Sequence, residues 1–440
     1  MESYRTLDAA QLQQALLRER ERHDSFCAQG LALNMARGKP SDEQLDLSSP
    51  LLSILAAPAD CQAADGTDCR NYGVLAGIPE ARELMASVLD DDPATTIVLG
   101  SSSLTAMYDA LARLMAFGTE GHEPWERQGP LRWLCPVPGY DRHFSITEAF
   151  GIEMLPVPLV TEGPSLGPAM DEVERLVAED PSIKGIWCVP KYANPSGITY
   201  ADDVVRRLAA MECAAPDFRI FWDNAYSVHH LSDDATRQDA LLDIGLACRE
   251  AGHPNRYLKF GSTSKVTFPG AGIAALAASP DNVAEALGHL RAQTIGGDKL
   301  AQLRHSRFLV DGAGIAAHMA RHASILAPKF ALVQAKLHDG LDGLGIARWS
   351  DPRGGYFVSF DGMEGTARRT VALAREAGVV LTGAGATWPY GEDPADSNLR
   401  IAPSLPPIEE LGQALDVLVC CVRIAALEKL LAAAPPSASS

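Results

Sequence analysis

Three short motifs at the ends of apolar runs hold the residue types that could do chemistry. Lys265 follows the run Tyr257–Gly261 inside a loop of small residues, Gly261-Ser-Thr-Ser-Lys-Val-Thr-Phe-Pro-Gly-Ala-Gly272. A lysine held there can be partly desolvated, lose its proton and act as a Schiff-base nucleophile. Taken alone, it reads first as a solvated loop lysine. The run Ile220-Phe-Trp-Asp-Asn-Ala-Tyr226 ends in a carboxylate followed by a tyrosine. At a strand end Asp223 could pair with a protonated ring nitrogen and keep a pyridine cofactor electron-poor, or it could merely cap the next helix. In Pro190-Lys-Tyr-Ala-Asn-Pro-Ser-Gly197, Asn194 places an amide donor at the same sheet edge.

Other motifs lead elsewhere and fail. Ser262-Thr-Ser-Lys265 fits the nucleophile motif of penicillin-recognising enzymes, but no K-T-G, S-D-N or secretory signal accompanies it. Gly100-Ser-Ser-Ser-Leu104 approaches a nucleophile elbow, with Leu104 where the tight turn needs a second glycine. His318-Met-Ala-Arg-His322 sets two histidines on one helical face without the glutamate of H-E-x-x-H. These histidines are expected at the surface or an interface, and no metal site is expected.

The elements that must position these residues follow from the pattern. Apolar runs at Ile97–Gly100, Arg132–Cys135, Met154–Val160, Gly185–Pro190, Arg219–Asp223, Tyr257–Gly261 and Ile273–Ala278 alternate with amphipathic helical stretches. That alternation predicts an α/β sheet buried on both faces, with ligands held at the C-terminal strand ends. From about Leu303 to Leu341 the pattern turns helical, and a smaller α/β region with short strands such as Gly355–Phe360 follows. The tail Ala432–Ser440 is expected to fray.

The 440 residues are 47% hydrophobic and 21% charged, as in soluble globular proteins. The net charge of −18 repels phosphate backbones and anionic lipids, which argues against nucleic acid as a partner. No apolar run is long enough for a bilayer and the N-terminus lacks a signal-peptide core, so neither a membrane nor export is expected. The nine cysteines, never spaced C-x-x-C, read as reduced core residues of a cytoplasmic protein.

Asn-Pro-x-Gly, Asp-x-x-Tyr and Ser-x-x-Lys, in that order on successive strand ends, resemble the fold type I pyridoxal-phosphate enzymes. The likeness runs from Leu33 to about Ser404 and is closest to class I aminotransferases. The opening Leu33-Asn-Met-Ala-Arg-Gly-Lys-Pro-Ser41 is similar to a bacterial aspartate aminotransferase subgroup with an extended N-terminus. The resemblance implies a large domain with a mainly parallel seven-stranded sheet, residues 51–320. Beside it would stand a smaller α/β domain, residues 321–440, joined by an N-terminal arm, residues 1–50.

By the same resemblance, Lys265 carries pyridoxal 5'-phosphate, Asp223 binds its ring nitrogen, Tyr226 and Asn194 bind its phenolic oxygen, and Tyr140 stacks on the ring. Ser101, Ser102 and Ser103 open a helix as a phosphate cup, which the physics of helix N-termini supports independently. Ser262 adds a hydroxyl, and Tyr72, in Asn71-Tyr-Gly-Val-Leu-Ala-Gly77, is the tyrosine the family donates across a homodimer. One departure stands out: Ile273 occupies the place of an arginine that many relatives set against the phosphate. Arg400, in Asn398-Leu-Arg400-Ile-Ala, matches the arginine that clamps the substrate α-carboxylate through two parallel donors. Gly38 matches the glycine that closes over the same group. A distal carboxylate needs a second cation, for which Arg37 and Lys299 are the candidates.

The implied activity is transamination of an amino acid and a 2-oxo acid, first L-aspartate with 2-oxoglutarate. The alternatives are an aromatic or alanine-type aminotransferase, a C–S β-lyase, or a non-catalytic effector sensor. The residues before Leu33 are too few for the DNA-binding head that a sensor would need.

Overall fold

The computed structural model describes residues 3–119 and 121–433. All seven apolar runs become strands of one sheet. Its order is Thr96–Val98, Ala274–Ala278, Tyr257–Ser262, Arg219–Asp223, Ile183–Cys188, Arg132–Val137, Glu153–Val160 and the two-residue Gly167–Pro168. The last is an addition to the expected seven. Ala274–Ala278 and Gly167–Pro168 run antiparallel to their neighbours, and the others run parallel to one another.

The central strands read as unbroken apolar runs because helices cover both faces. Every residue of Ile183–Cys188, Arg219–Asp223 and Tyr257–Ser262 is buried. On one face Trp133 packs against Trp187 and Phe221 with ring centroids 5.1 Å apart in each pair, under the Ser103–Phe117 helix.

Glu153–Val160 would be a bare edge over most of its length, because Gly167–Pro168 pairs only with Leu159 and Val160. Its inward N–H groups serve the Arg132–Val137 ladder, beginning with Glu153 N–H donating to the Leu131 carbonyl. Of the outward positions, 156 and 158 are prolines, and Met154 N–H donates to the Tyr390 hydroxyl at 3.0 Å.

The helical stretch after the sheet is two helices, Lys299–Leu309 and Gly312–Leu341. Val310 at φ 67° breaks the run, and Asp311 caps the second helix by accepting from Gly314 N–H at 2.9 Å. The expectation that these histidines lie at the surface or an interface is corrected. His318 and His322 are 5% and 1% exposed, because the Asp42–Asp46 helix and the Lys265 loop cover that face.

A three-stranded antiparallel sheet, Ala347–Trp349, Val358–Gly362 and Asn398–Ile401, forms the second structural region. Leu33–Asn34 pairs in parallel with Val379–Val380, which brings the N-terminal chain into the same region. The helices Ala9–Ala28, Ala367–Glu376 and Ile408–Ala433 pack together there. Asp8 and Gln11 start the first of them with a reciprocal capping box. Of the tail expected to fray, Ala432 and Ala433 lie in the last helix and residues 434–440 lie outside the described residues. Among the described residues the cysteines are free, six of them buried, and no helix is long and apolar enough to cross a membrane.

Candidate active site

Parallel strands end together, so the polar residues just past Cys188, Asp223 and Ser262 gather at one rim. A cavity of about 250 Å³ opens there, lined by Ser102, Ser103, Tyr140, Asn194, Asp223, Tyr226, Ser262 and Lys265 among others. Asp223 closes its strand opposite Phe260 and is 2% exposed. No helix follows it, so capping is not its role. Its Oδ2 lies 3.0 Å from His143 Nε2, while Oδ1 is buried with no partner. His143 stacks on Trp187 at 4.4 Å and 12°, and the Trp187 indole N–H donates to Thr147 at 2.8 Å. The carboxylate is therefore fixed from behind and has one oxygen left to give.

Lys265 Nζ stands 4.8 Å from the Tyr226 ring centroid. Its backbone is held from the rear: the Lys265 carbonyl lies 3.3 Å from His229 Nε2 and accepts from the Tyr356 hydroxyl at 3.4 Å. Burial lowers the His229 pKa to about 3, so its ring is neutral at pH 7 and can donate to that carbonyl without carrying charge. Asn194 and Tyr226 line the same cavity. Burial, reinforced by the Asp223 charge, pushes the Tyr226 phenol well above its usual range, and burial raises Tyr140 to about 12. Both remain phenols near neutrality. Tyr140 stands edge-on to His143 at 5.0 Å.

Gly100, at φ 57°, makes the sharp turn that sends the chain from Thr96–Val98 into the Ser103–Phe117 helix. Ser102 caps the helix, its Oγ accepting from Leu104 N–H at 3.2 Å, and Ser103 begins it. Ser262 Oγ donates to Ser264 Oγ at 2.9 Å, and Ser264 Oγ donates to the exposed Ser101's carbonyl at 3.4 Å. Ile273 is fully buried beneath the loop and donates its N–H to Thr263 Oγ1 at 3.0 Å. Lys265 is thus the only cation among the residues lining the cavity. The anion cup is made of hydroxyls and a helix N-terminus.

Arg400 reaches across from the smaller sheet. It is 9% exposed, and its Nη1 donates to Asp141 Oδ1 at 2.8 Å and to Asn194 Oδ1 at 3.3 Å. Its Nε is buried and unpartnered, and its guanidinium carbon lies 4.9 Å from the Phe357 ring centroid. Gly38 lies against the same ring: a Cβ there would sit 2.4 Å from Phe357 Cζ.

The two candidates for the second cation part company. Arg37 is exposed. Lys299 is 3% exposed and donates to the carbonyls of Asn71 and Gly73 at 2.6 and 3.0 Å. Lys299 is not a cation waiting for a ligand; it pins the loop that holds Tyr72 out at 81% exposure.

The motifs alone did not single out four residues that matter here: His143, Asp141, Phe357 and His229. Only the placement of His143 one turn after Tyr140, on a helix leaving the same sheet edge, could have flagged one of them.

The residues fit pyridoxal phosphate. An unpartnered buried carboxylate oxygen suits a protonated ring nitrogen, Asn194 and Tyr226 suit a phenolic oxygen, the serine-lined helix start suits a phosphate, and Lys265 suits a carbonyl. The sequence profile of the aspartate amino-transferase family matches residues 7–434. An aspartate aminotransferase of Corynebacterium glutamicum is 46% identical, over 93% of this chain and 93% of its own. An aspartate transaminase structure from that species superposes with TM-score 0.93 at 45% identity, covering 97% of this chain and 99% of that one. The α-aminoadipate aminotransferase of Thermus thermophilus, solved with N-(5'-phosphopyridoxyl)-L-leucine, shares the fold at TM-score 0.70 and 20% identity, over 91% of this chain and 93% of its own.

Proposed function

The chain belongs to the aspartate amino-transferase family and is an aminotransferase, and from that premise we propose that it uses pyridoxal phosphate to convert L-aspartate and 2-oxoglutarate to oxaloacetate and L-glutamate. The observation that carries the cofactor is Asp223, buried, backed by His143, with Oδ1 unpartnered in the cavity that Lys265 also lines. When bound, pyridoxal phosphate supplies an electron sink for the pair left on the amino acid's Cα. The chain's own residues do the rest.

Asp223 Oδ1 holds the ring nitrogen's proton, and His143 keeps that carboxylate aimed. Lys265 Nζ takes and returns the Cα proton, on a backbone held by His229 and Tyr356. Tyr226, kept a phenol by burial, and Asn194 orient the phenolic oxygen, and Tyr140 covers the ring face. Ser101, Ser102, Ser103 and Ser262 receive the phosphate without an arginine's help. The unpartnered Nε edge of Arg400 receives the α-carboxylate, which Gly38 closes over. Arg37 remains the candidate for the distal carboxylate.

The small domain is taken as residues 1–50 with 321–440, and the large domain as 51–320. Arg400, anchored on Asp141 and Asn194, joins them across the site and so sets the clamp at the seam between the two domains. The exposure of Tyr72 on a pinned loop supports donation to a partner's site in a homodimer, and the reduced cysteines support a cytoplasmic setting. Borohydride treatment of the loaded protein should tag Lys265. Steady-state rates should favour L-aspartate over L-phenylalanine and L-alanine with 2-oxoglutarate. Preference for an aromatic or aliphatic amino acid, or pyruvate release from cystathionine, refutes the substrate. A label on another lysine refutes the cofactor site.

A further inference from the structure

Arg400 already has a carboxylate partner. Its Nη1 donates to Asp141 Oδ1 at 2.8 Å and shares that proton edge with Asn194 Oδ1, while Phe357 covers the guanidinium face. The Nε, buried without a partner, marks the edge left for a ligand. Asp141 is the first residue of the Asp141–Ala149 helix, directly after Tyr140, so the turn that sets the ring-stacking tyrosine also sets this carboxylate. A ligand carboxylate on the Nε edge would share one positive charge with Asp141. Two anions on one guanidinium repel, and the repulsion is weakly screened because the Arg400 and Asp141 side chains are only 9% and 33% exposed.

We propose that Asp141 is an affinity-setting residue: a standing counterion of Arg400 that stays in place when substrate docks on the Nε edge and weakens the hold on the substrate carboxylate. The inference rests on the reading of Arg400 as the carboxylate clamp. The reaction gives the feature a purpose. Each half-cycle must release one carboxylate ligand before the next can bind, so a fully charged clamp would slow product exit. The repulsion falls hardest on a 2-oxo acid, because an amino acid's ammonium partly offsets its carboxylate.

Maleate, a dicarboxylate that cannot react, is the probe. Its dissociation constant is measured by calorimetry on cofactor-loaded wild type, Asp141→Asn and Arg400→Gln. Asparagine keeps an acceptor for Nη1 and removes the charge, so Asp141→Asn should bind maleate about tenfold tighter or more. Arg400→Gln should lose most of the binding. Unchanged or weaker maleate affinity in Asp141→Asn, with binding still lost in Arg400→Gln, overturns the role of Asp141 and leaves Arg400 standing. Undiminished affinity in Arg400→Gln overturns the clamp itself. Misfolding cannot mimic a gain in affinity. Asp141→Ser reads the same quantity should the asparagine variant not fold.

Discussion

Gly38→Ala tests whether the carboxylate clamp is built from below. The new Cβ would stand 2.4 and 2.6 Å from Cζ and Cε1 of Phe357, where ordinary contact begins near 3.4 Å. The ring must withdraw by about an ångström, and overpacking of this kind costs typically 1–3 kcal/mol. Phe357 is 5% exposed and carries the Arg400 guanidinium on its face, so the displacement is passed to the clamp. If that cost falls on the substrate complex, KM for L-aspartate rises by roughly 5- to 150-fold. The cofactor should stay bound, because the atoms the new Cβ meets first all belong to Phe357 and none to Lys265 or Asp223. Phe357→Leu in the same chain makes room for the methyl, so the double variant should recover much of the loss relative to Gly38→Ala. Steady-state kinetics on four proteins closes the cycle. A KM within twofold of wild type in a folded Gly38→Ala protein refutes the chain of contacts from Gly38 to Arg400.

Asp223→Ala should weaken pyridoxal phosphate by roughly ten- to a hundredfold, the worth of one charge-assisted bond. It should lower kcat at saturating cofactor far more; near-normal turnover there would refute the ring-nitrogen role. Lys299→Met leaves the Asn71 and Gly73 carbonyls unserved and should cost about 2–4 kcal/mol in denaturant unfolding. It should also hasten proteolytic nicking beside Tyr72; unaltered nicking would show that the lysine does not hold the loop. His229 and His322 are held neutral by burial, with pKa values lowered to about 3. Unfolded histidine titrates near 6.5, so between pH 6.5 and 3 the unfolded chain binds more protons and stability falls with pH, by up to about 1.4 kcal/mol per unit for each ring. The melting temperature should drop from pH 7 to pH 5, and His322→Gln should flatten that drop; an unflattened profile counts against a buried neutral ring.

The sheet was readable because strands buried on both faces leave unbroken apolar runs, and the polar residues ending those runs had nowhere else to go. That logic brings Asn194, Asp223, Tyr226 and Lys265 into one cavity. It could not find His143, which reaches Asp223 only because a helix folds back over a strand far away in the chain. Nor could it tell a charge at the surface from a buried one. Lys299 looked like a cation for a substrate carboxylate, and His318 and His322 looked like surface or interface residues, because a sequence shows a residue's chemistry and not what covers it. The break at Val310 was invisible for a related reason. A β-branched residue is an unlikely choice for positive φ, and the cap on Asp311 carried the turn instead.

The outer flank of the sheet bears on how the protein survives at high concentration. A long strand on the boundary of a sheet offers a row of donors to any passing extended chain, the route by which folded proteins stack into aggregates. Along Glu153–Val160 that row is dismantled: Pro156 and Pro158 have no N–H to offer, Met154 has spent its own on Tyr390, and Val160 is paired with Gly167. A second molecule finds acceptors without donors and cannot zip on. Together with a charge of −18, this keeps a broad hydrophobic sheet from becoming a template, at no cost to the opposite edge of the same strand, where every ladder bond is kept.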